Sequence, residues 1–292
     1  MSNTAPESLK KIALGTVQFG LDYGISNKEG KTSSEEVEKI LIQAERFDID
    51  LLDTAHAYGN SEEVLGDLLA DFKFKIVSKF PSPQQGKTIK NYIGESLSLL
   101  KVKKLYAYMA HDAQCILDDR QLWSQLLELR EEGIVSKIGY SLYSTNQLRK
   151  LVDAGCKPDI VQVPYNIFDR RFETEFELLE TMGTEVHVRS VFLQGLFFMK
   201  PEELPSYFDK AKPLLRKMQF ICPDRQTLAA VLIDFCLKNS LVHRVVIGVN
   251  NVAQLSSNIL NLSLPLPSFN WGDFNVTDES ILLPYQWPKI HS

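Results

Sequence analysis

Short apolar runs alternate along the chain with longer stretches in which apolar positions recur at helical spacing. The short runs are rich in β-branched residues, which is typical of strands buried in a parallel sheet. We predict eight strands: Ile12–Val17, Ile49–Thr54, Lys75–Phe80, Leu105–His111, Lys137–Leu142, Ile160–Tyr165, Val186–Phe192 and Arg244–Val249. The longer stretches predict eight helices: Ser33–Phe47, Ser61–Leu69, Thr88–Leu100, Asp119–Glu132, Thr145–Ala154, Arg171–Met182, Asp224–Asn239 and Val252–Leu260.

Strict alternation of strands and helices predicts an α/β fold with a parallel sheet, and eight repeats favour its closure into a (β/α)8 barrel. An open doubly wound sheet is the alternative. The first strand, however, ends in Gly-Thr-Val-Gln-Phe-Gly, which is not the G-x-G-x-x-G that opens a dinucleotide-binding helix. We therefore predict one TIM barrel domain over residues 1–292.

Three segments fall outside this repeat. The polar residues 1–10 are predicted to be disordered. Residues 200–221 and 261–292 are rich in proline and aromatic residues and are predicted to form a loop and a tail near the pocket. Long segments after the last strands of a barrel are where lids and pocket walls are built.

Composition narrows the choice of partners. The net charge of −5 and the absence of a basic run argue against a nucleic-acid partner. No apolar stretch is long enough to span a bilayer, and the polar N-terminus has no secretory h-region, so we expect a cytoplasmic protein. The four cysteines and five histidines show neither C-x-x-C nor H-E-x-x-H spacing, which argues against a metal site.

Four titratable side chains follow consecutive predicted strands. Asp53 ends the second strand, Tyr58 lies in the loop after it, Lys79 ends the third strand and His111 ends the fourth. In a barrel these positions converge on one rim, where active sites lie. Asp53 and Lys79 are natural partners on adjacent strands, because an unpaired buried charge is costly.

This group fits carbonyl reduction, in which carbon receives a hydride and oxygen a proton. Lys79, held charged by Asp53, is expected to lower the pKa of the Tyr58 phenol and make it a usable general acid. His111 is expected to hydrogen-bond the carbonyl oxygen. Taken singly, each residue favours a structural interpretation: a structural ion pair for Asp53 and Lys79, a turn tyrosine for Tyr58 and a satisfied polar residue for His111. Their joint placement on three successive strands favours the catalytic interpretation.

The segment from Asp53 to Glu62, Asp-Thr-Ala-His-Ala-Tyr-Gly-Asn-Ser-Glu, resembles the D-T-A-x-x-Y-G-x-S-E signature of the aldo-keto reductases. Lys79 and His111 match the remaining catalytic positions of that family in order and spacing. Later motifs are similar in the same order from strand five to strand eight: Gly139-Tyr140-Ser141, Gln162-Val163-Pro164-Tyr165-Asn166, the run from Arg189 to Leu196, and Gly248 with Gln254, Leu255 and Asn258.

The resemblance implies a reductase that binds NADP(H) without a Rossmann motif, with Tyr58 as proton donor and direct hydride transfer to a small-molecule carbonyl substrate. It implies that Ser141 and Gln162 hold the carboxamide, and that Gln254 and Asn258 reach the adenine. It also implies that Gly15 and Thr16 lie beside the nicotinamide and that Ser190, Phe192 and Leu193 line the pyrophosphate path. The remaining implied cofactor positions are Asp53, Gly195 and Gly248.

Two positions depart from the family pattern. Arg189 stands where members often carry an aromatic residue that stacks on the nicotinamide. Asn250 stands where a lysine or arginine often grips the 2′-phosphate of NADP(H), so NAD(H) is also plausible. Arg225 is a candidate to supply the missing cation. For the substrate, we predict an apolar pocket walled by Phe19, Tyr23, Phe80 and Trp287.

Two other functions remain open. A non-catalytic homologue that binds the cofactor as a sensor or partner subunit can keep all four residues, although pure binding needs no Tyr58 beside Lys79. A barrel lyase or isomerase would use Lys79 as a Schiff base, which is opposed by an Asp53 that keeps the amine protonated. The sequence defines neither the natural substrate nor the oligomeric state.

Overall fold

The structure is a computed structural model that describes residues 7–288. Its eight strands are β1 Ile12–Gly15, β2 Leu51–Asp53, β3 Lys75–Phe80, β4 Leu105–Ala110, β5 Val135–Ser141, β6 Ile160–Pro164, β7 Glu185–Arg189 and β8 Arg244–Gly248. Its α-helices are α1 Val17–Gly20, α2 Ser34–Arg46, α3 Ser61–Leu68, α4 Ile89–Leu100, α5 Gln114–Asp118, α6 Gln121–Glu131, α7 Thr145–Asp153, α8 Phe176–Thr181, α9 Lys212–Ile221, α10 Arg225–Leu237, α11 Val252–Leu260 and α12 Glu279–Leu282.

The strands form one closed, parallel barrel in chain order, with β8 pairing back to β1. Ile12 is opposite Val245 and Gly15 is opposite Gly248, so the closing pair is in register along its whole length. The predicted (β/α)8 fold is confirmed.

Side chains alternate between the barrel interior and the layer beneath the helices, as the period of two in a strand requires. The inner layer is small and apolar, and includes Ala13, Leu51, Val77, Ala107 and Met109. The outer faces of the strands join the helices in one much larger core. Because both faces are buried, each strand reads as a nearly continuous apolar run.

Ion pairs close the barrel at the amino ends of the strands. Glu185 accepts a hydrogen bond of 2.8 Å from the Tyr106 hydroxyl and lies 2.7 Å from Lys137 Nζ. Asp50 lies 2.8 Å from Arg244 Nη1. The opposite mouth, at the carboxyl ends of the strands, is therefore the end that remains for a site.

Several predicted boundaries differ from those of the structure, and two of the differences have a clear structural reason. Strand β7 ends at Arg189 and not at Phe192, because Ser190 takes a left-handed backbone with φ 61°. Residues 7–10 are not disordered but belong to a 3-10 helix, Glu7–Lys11, in which Leu9 is buried. Residues 1–6 of the same prediction lie outside the described part of the chain.

The segment 200–221 is not a simple loop, because it ends in helix α9, whose Leu215 and Met218 are buried. It packs against the tail: the Tyr207 hydroxyl donates to Ser280 O at 2.9 Å, and Lys217 Nζ lies 2.7 Å from Asp273 Oδ2. The two irregular segments therefore stabilise each other outside the barrel.

A close approach of β5 to β6 gives a stability test. A Cβ at Gly139 would lie 1.7 Å from Ile160 O, whereas a Cβ at Gly94, exposed within α4, would meet nothing within 4 Å. We expect Gly139→Ala to lower the free energy of unfolding by about 1–3 kcal/mol or more. The control Gly94→Ala should raise it by about 0.5–1 kcal/mol, because alanine favours a helix interior. Urea unfolding of both variants measures this; equal effects would contradict the proposed crowding.

Candidate active site

A cavity of about 890 Å³ opens at the carboxyl ends of the barrel strands. It is bordered both by residues at the strand ends and by residues of the loops that follow β1, β7 and β8. Of the residues predicted for the site, those that border it are Gly15, Thr16, Tyr23, Asp53, Tyr58, His111, Gln162, Arg189, Ser190, Phe192, Gly195, Gly248, Asn250, Gln254 and Asn258.

A buried ion pair lies at the base of this cavity. Lys79 Nζ is 2.7 Å from Asp53 Oδ1 and donates a second hydrogen bond, of 2.9 Å, to Thr54 O. The other carboxylate oxygen of Asp53 accepts a hydrogen bond of 2.7 Å from Gln162 Nε2. The Lys79 side chain is fully buried, and this burial lowers the pKa of its ammonium even though Asp53 opposes the shift. Lys79 therefore does not itself line the cavity.

Tyr58 and His111 are the titratable groups that face the cavity beside this pair. Their rings meet edge to face with centroids 5.6 Å apart, and Lys79 Nζ lies 5.2 Å from the centre of the Tyr58 ring. Burial raises the pKa of Tyr58, and the carboxylate of Asp53 raises it further. The net shift of this pKa is therefore opposite to the predicted one, because Asp53 offsets the charge of the ammonium and itself disfavours a phenolate.

His111 is neutral at physiological pH. Burial, together with the nearby charges of Lys79 and Arg189, lowers the pKa of His111 to about 4. A neutral imidazole has one donating and one accepting nitrogen, so His111 can donate one hydrogen bond.

The backbone around Tyr58 explains its local sequence. Gly59 has φ 57°, and a Cβ at Gly20 would lie 1.8 Å from Tyr58 O, so the two glycines permit a tight turn against α1. The Ser61 hydroxyl ties this turn to β1 by donating to Thr16 O at 2.9 Å. Glu62 is buried and accepts hydrogen bonds from Ser78 Oγ at 2.5 Å and from Ser96 Oγ at 3.1 Å.

A groove extends from Tyr58 and His111 past residues 190–195, which follow β7. Leu193, Gln194 and Gly195 take successive left-handed conformations, with φ of 45°, 51° and 91°. Two of their three N–H groups are used within the turn itself, since Leu193 N donates to Ser190 O at 2.9 Å and Gly195 N donates to Phe192 O at 2.8 Å. The loop after β1 meets this segment through Ile25 N, which donates to Gln194 O at 2.9 Å.

The far end of the groove is polar and positively charged. Asn250 Nδ2 donates to Asn27 Oδ1 at 2.7 Å, and the neighbouring Ser26 Oγ is 3.5 Å from Arg225 Nη2. The guanidinium of Arg225 also lies 4.4 Å above the Phe198 ring. Arg225 forms no ion pair with any residue from 7 to 288, which leaves its charge available to a ligand.

The groove fits a long, anionic dinucleotide such as a nicotinamide cofactor. Gln18 Oε1 is buried there without a hydrogen-bond partner among the described residues, so it can accept from a ligand. A Cβ at Gly248 would lie 2.7 Å from that atom, which makes glycine the residue that keeps this part of the groove open. Gln18 was not predicted, because a lone glutamine after a strand carries no sequence signal.

Three predicted cofactor or catalytic residues lie behind the surface. Lys79, Ser141 and Leu193 are buried and do not border the cavity. Lys79 contacts Asp53, which does border the cavity. The resemblance-based roles of Ser141 and Leu193 remain predictions.

The predicted substrate pocket is largely wrong. Phe19 and Phe80 are fully buried in the core under the helices, because their side chains point away from the barrel interior. Trp287 packs on Phe208 with ring centroids 5.1 Å apart and donates its N–H to Ile281 O, so it anchors the tail. The segment 200–221 does not border the cavity. Of the four aromatic residues predicted, only Tyr23 does.

Two aromatic residues that were not predicted border the cavity instead, one from the loop after β5 and one from the tail. Tyr143 and Tyr285 border the cavity, with ring centroids 5.2 Å apart in an edge-to-face contact. Leu21 and Pro284 complete this mouth. Tyr143 stands two residues after β5, where the strand-end rule that found His111 would also have indicated it.

The described residues offer neither a cluster of metal ligands nor a helix that could span a membrane. Between residues 7 and 288, no group of three or more histidine, cysteine or acidic residues is placed to hold a metal ion. Over the same residues, no helix has the length and apolar character needed to cross a bilayer.

The buried ion pair predicts a non-additive stability effect. Lys79→Met leaves Asp53 charged and unpaired, and we expect a loss of about 3–5 kcal/mol in the free energy of unfolding. The double variant Asp53→Asn, Lys79→Met removes both charges, so most of this loss should be recovered. Urea unfolding of the two variants at pH 7 measures it. A double variant no more stable than Lys79→Met would argue against charge burial as the cause.

His111 predicts a loss of stability in acid. Its pKa is about 4 in the folded protein and about 6.5 when unfolded, so between these values the unfolded chain binds more protons. Its contribution is therefore present above pH 6.5 and is lost as the pH falls towards 4, with an upper limit of about 3 kcal/mol. Unfolding by urea at pH 7 and pH 4.5 should show a larger drop for the wild type than for His111→Asn; parallel drops would contradict this assignment.

Comparison with known proteins agrees with this geometry. The model of the Aldo/keto reductase family matches residues 11–277. The oxidoreductase YqkF of Bacillus subtilis is 24% identical over 280 residues, which cover 86% of this chain and 90% of that protein. Methylglyoxal reductase DkgA of Salmonella typhimurium is 30% identical over 165 residues, which cover 54% of this chain and 58% of that protein. The holo form of the aldo-keto reductase AKR11C1 from Bacillus halodurans has a TM-score of 0.71 at 21% identity, covering 93% of this chain and 91% of that one.

Proposed function

This chain belongs to the aldo/keto reductase family, and we propose that it reduces an aldehyde or ketone to the alcohol with a nicotinamide cofactor, Tyr58 supplying the proton. The observation that carries the proposal is the cluster at the cavity base. Tyr58, His111 and Asp53 border the cavity, and Lys79 is buried behind it, paired with Asp53.

The protonation states suit a reduction. A raised pKa keeps Tyr58 as a phenol at neutral pH, which is the form that can give up a proton. An alkoxide is a stronger base than a phenolate, so the proton moves downhill to the substrate oxygen as that oxygen becomes negative. Neutral His111 can donate a hydrogen bond to the same oxygen and fix the carbonyl beside Tyr58. The bound cofactor supplies the hydride to the carbonyl carbon.

For the cofactor, we propose NADP(H), with Arg225 as the cation that meets the 2′-phosphate. Asn250 offers only neutral donors, and its side chain is engaged by Asn27. Arg225 lies at the same end of the groove, since Ser26, which it approaches, is the neighbour of Asn27. A guanidinium stacked on Phe198 is held in place and still presents a fork to a phosphate.

The geometry disfavours a lyase that uses Lys79 as a nucleophile. Lys79 does not border the cavity, and its ammonium is held by Asp53 and Thr54 O. A substrate carbonyl has no path to the nitrogen without breaking both contacts. A non-catalytic, cofactor-binding homologue remains the alternative that the next experiment separates from an enzyme.

Replacing the proposed acid tests the function directly. We expect Tyr58→Phe to lower kcat/KM for aldehyde reduction by about 10²–10⁴-fold, because general acid catalysis is lost. Cofactor affinity, measured by fluorescence titration, should change by less than about threefold, since the phenol does not form the groove.

Tyr140→Phe is the matched control. Its hydroxyl is also buried and donates to Cys156 O at 3.0 Å, but it does not border the cavity. Its kcat/KM should stay close to that of the wild type. Full activity in Tyr58→Phe would exclude Tyr58 as the acid, and cofactor binding with no reduction across an aldehyde panel would favour the sensor.

The role of Arg225 is tested by its effect on two cofactors. Arg225→Gln should weaken NADPH binding by about 10–100-fold and leave NADH binding nearly unchanged, because only NADPH carries the 2′-phosphate. Fluorescence titration of each cofactor measures the two dissociation constants. Equal losses for both cofactors, or no NADPH preference in the wild type, would contradict the assignment.

A further inference from the structure

One wall of the cavity mouth comes from the tail and is not fixed by the barrel. Tyr285 lies in a 3-10 turn, Pro284–Gln286, and its ring meets that of Tyr143 edge to face with centroids 5.2 Å apart. Tyr143 stands two residues after β5, so its position follows from the barrel. Tyr285 is 64% exposed, and its turn lies beyond residues 11–277, which the family model matches. Its position at the mouth therefore needs another explanation.

The turn is held by a tyrosine that does not itself border the cavity. The Tyr207 hydroxyl donates to Ser280 O at 2.9 Å and lies 3.4 Å from Gln286 O, so one side chain reaches both flanks of the turn. The next residue, Phe208, packs on Trp287 with ring centroids 5.1 Å apart. These two contacts attach the outer half of the turn to the segment that follows β7.

The base of the turn is anchored differently from its outer half. Ile281 and Leu282 are 1% and 2% exposed, so burial fixes the chain just before the turn. Farther out, Gln286 N donates to Leu283 O at 2.9 Å, which is a hydrogen bond within the turn and does not attach it to the rest of the protein. Loss of the Tyr207 hydroxyl would therefore loosen the outer half of the turn while its base stays in the core.

We propose that Tyr207 is a positioning residue for the substrate entrance, because its hydroxyl holds Tyr285 against Tyr143. The pair of rings then limits the width of the carbonyl substrates that reach Tyr58. This inference rests on the proposed function. Two rings in edge-to-face contact leave no room for a third ring between them, so the pair closes this side of the mouth to a wide substrate. A looser turn would widen the mouth.

Aldehydes of increasing width test the proposal. We would measure kcat/KM at saturating cofactor for propanal, benzaldehyde and 2-naphthaldehyde, and take the ratio of the widest to the narrowest within each enzyme. Tyr285→Ala should raise this ratio by about 10–100-fold, because the wall is removed. Tyr207→Phe should raise it by about 2–10-fold, the value of one hydrogen bond. A merely structural role would lower kcat/KM for all three aldehydes alike; a ratio that is unchanged or falls in either variant overturns the proposal.

A double variant shows whether Tyr207 acts through Tyr285. Once Tyr285→Ala has removed the ring, adding Tyr207→Phe should change the ratio by less than about 1.5-fold, because the two effects are coupled. An equal effect in both backgrounds overturns the proposal. The controls are Tyr140→Phe, which removes a buried hydroxyl away from the cavity, and Lys217→Gln, which breaks the contact with Asp273 elsewhere in the tail. Both should keep the wild-type ratio.

Binding of unreactive amides separates this proposal from the proposed function. Calorimetry with 2-naphthamide and benzamide, in the presence of oxidised cofactor, requires no turnover, and the ratio of their affinities should shift as the ratio of kcat/KM does. A shift in Tyr285→Ala and Tyr207→Phe supports the positioning role even if no aldehyde is reduced. Reduction of aldehydes with wild-type ratios in both variants leaves the reductase in place and overturns the positioning role. Neither reduction nor amide binding in any variant overturns both.

Discussion

The Asp53–Lys79 ion pair constrains the geometry of the catalytic mouth more than any other contact. Both side chains are out of contact with solvent, so neither charge tolerates the loss of its partner. Thr54 O accepts a second hydrogen bond from the Lys79 ammonium, and Gln162 donates one to the other carboxylate oxygen of Asp53. Since Gln162 lies on β6, opposite β2 in an eight-stranded barrel, these hydrogen bonds join two sides of the mouth and connect the electrostatics of the site to the register of the strands.

The same ion pair determines the electrostatic effect of Lys79 on the pKa of its neighbours. An isolated ammonium beside a phenol would favour the phenolate, but an ammonium bonded to a carboxylate is nearly a dipole. The burial of Tyr58 then dominates, and the phenol is held in its protonated form. The burial of His111 acts in the same direction, towards the neutral form. Tyr58 and His111 therefore face the cavity as neutral hydrogen-bonding groups, beside an ion pair whose two charges offset each other.

Much of the fold follows from the sequence because a parallel barrel repeats a simple pattern. Strand β3 was predicted with its observed bounds, since its run is apolar up to the buried Lys79-Phe80 end. Strand β7 was predicted too long because Val191 and Phe192 extend the apolar run, whereas the left-handed turn at Ser190 is a backbone feature that hydropathy does not report. Helix α9 was missed because its helical pattern is short and begins within a segment rich in proline.

The placement of the four catalytic candidates follows from strand ends alone, whereas the pocket walls do not. Phe80 could have been excluded: if Lys79 points into the barrel, its neighbour on the strand must point out. Trp287 could not, because its contact with Phe208 depends on how the tail folds over a segment some eighty positions away. Tyr285 borders the cavity for the same reason, through a tail whose path is set by tertiary packing.

The electrostatics of the mouth also bear on the direction of the proposed reaction. Hydride transfer to a carbonyl develops negative charge on its oxygen, and an environment that is already oriented to accept this charge lowers the barrier. Here the oxygen would meet two neutral donors, Tyr58 and His111. The reverse reaction would need Tyr58 to accept a proton as a phenolate, which burial and Asp53 both disfavour. Both directions pass through the same transition state, so the two donors would stabilise the oxygen in either one; the protonation state of Tyr58 alone distinguishes their starting points.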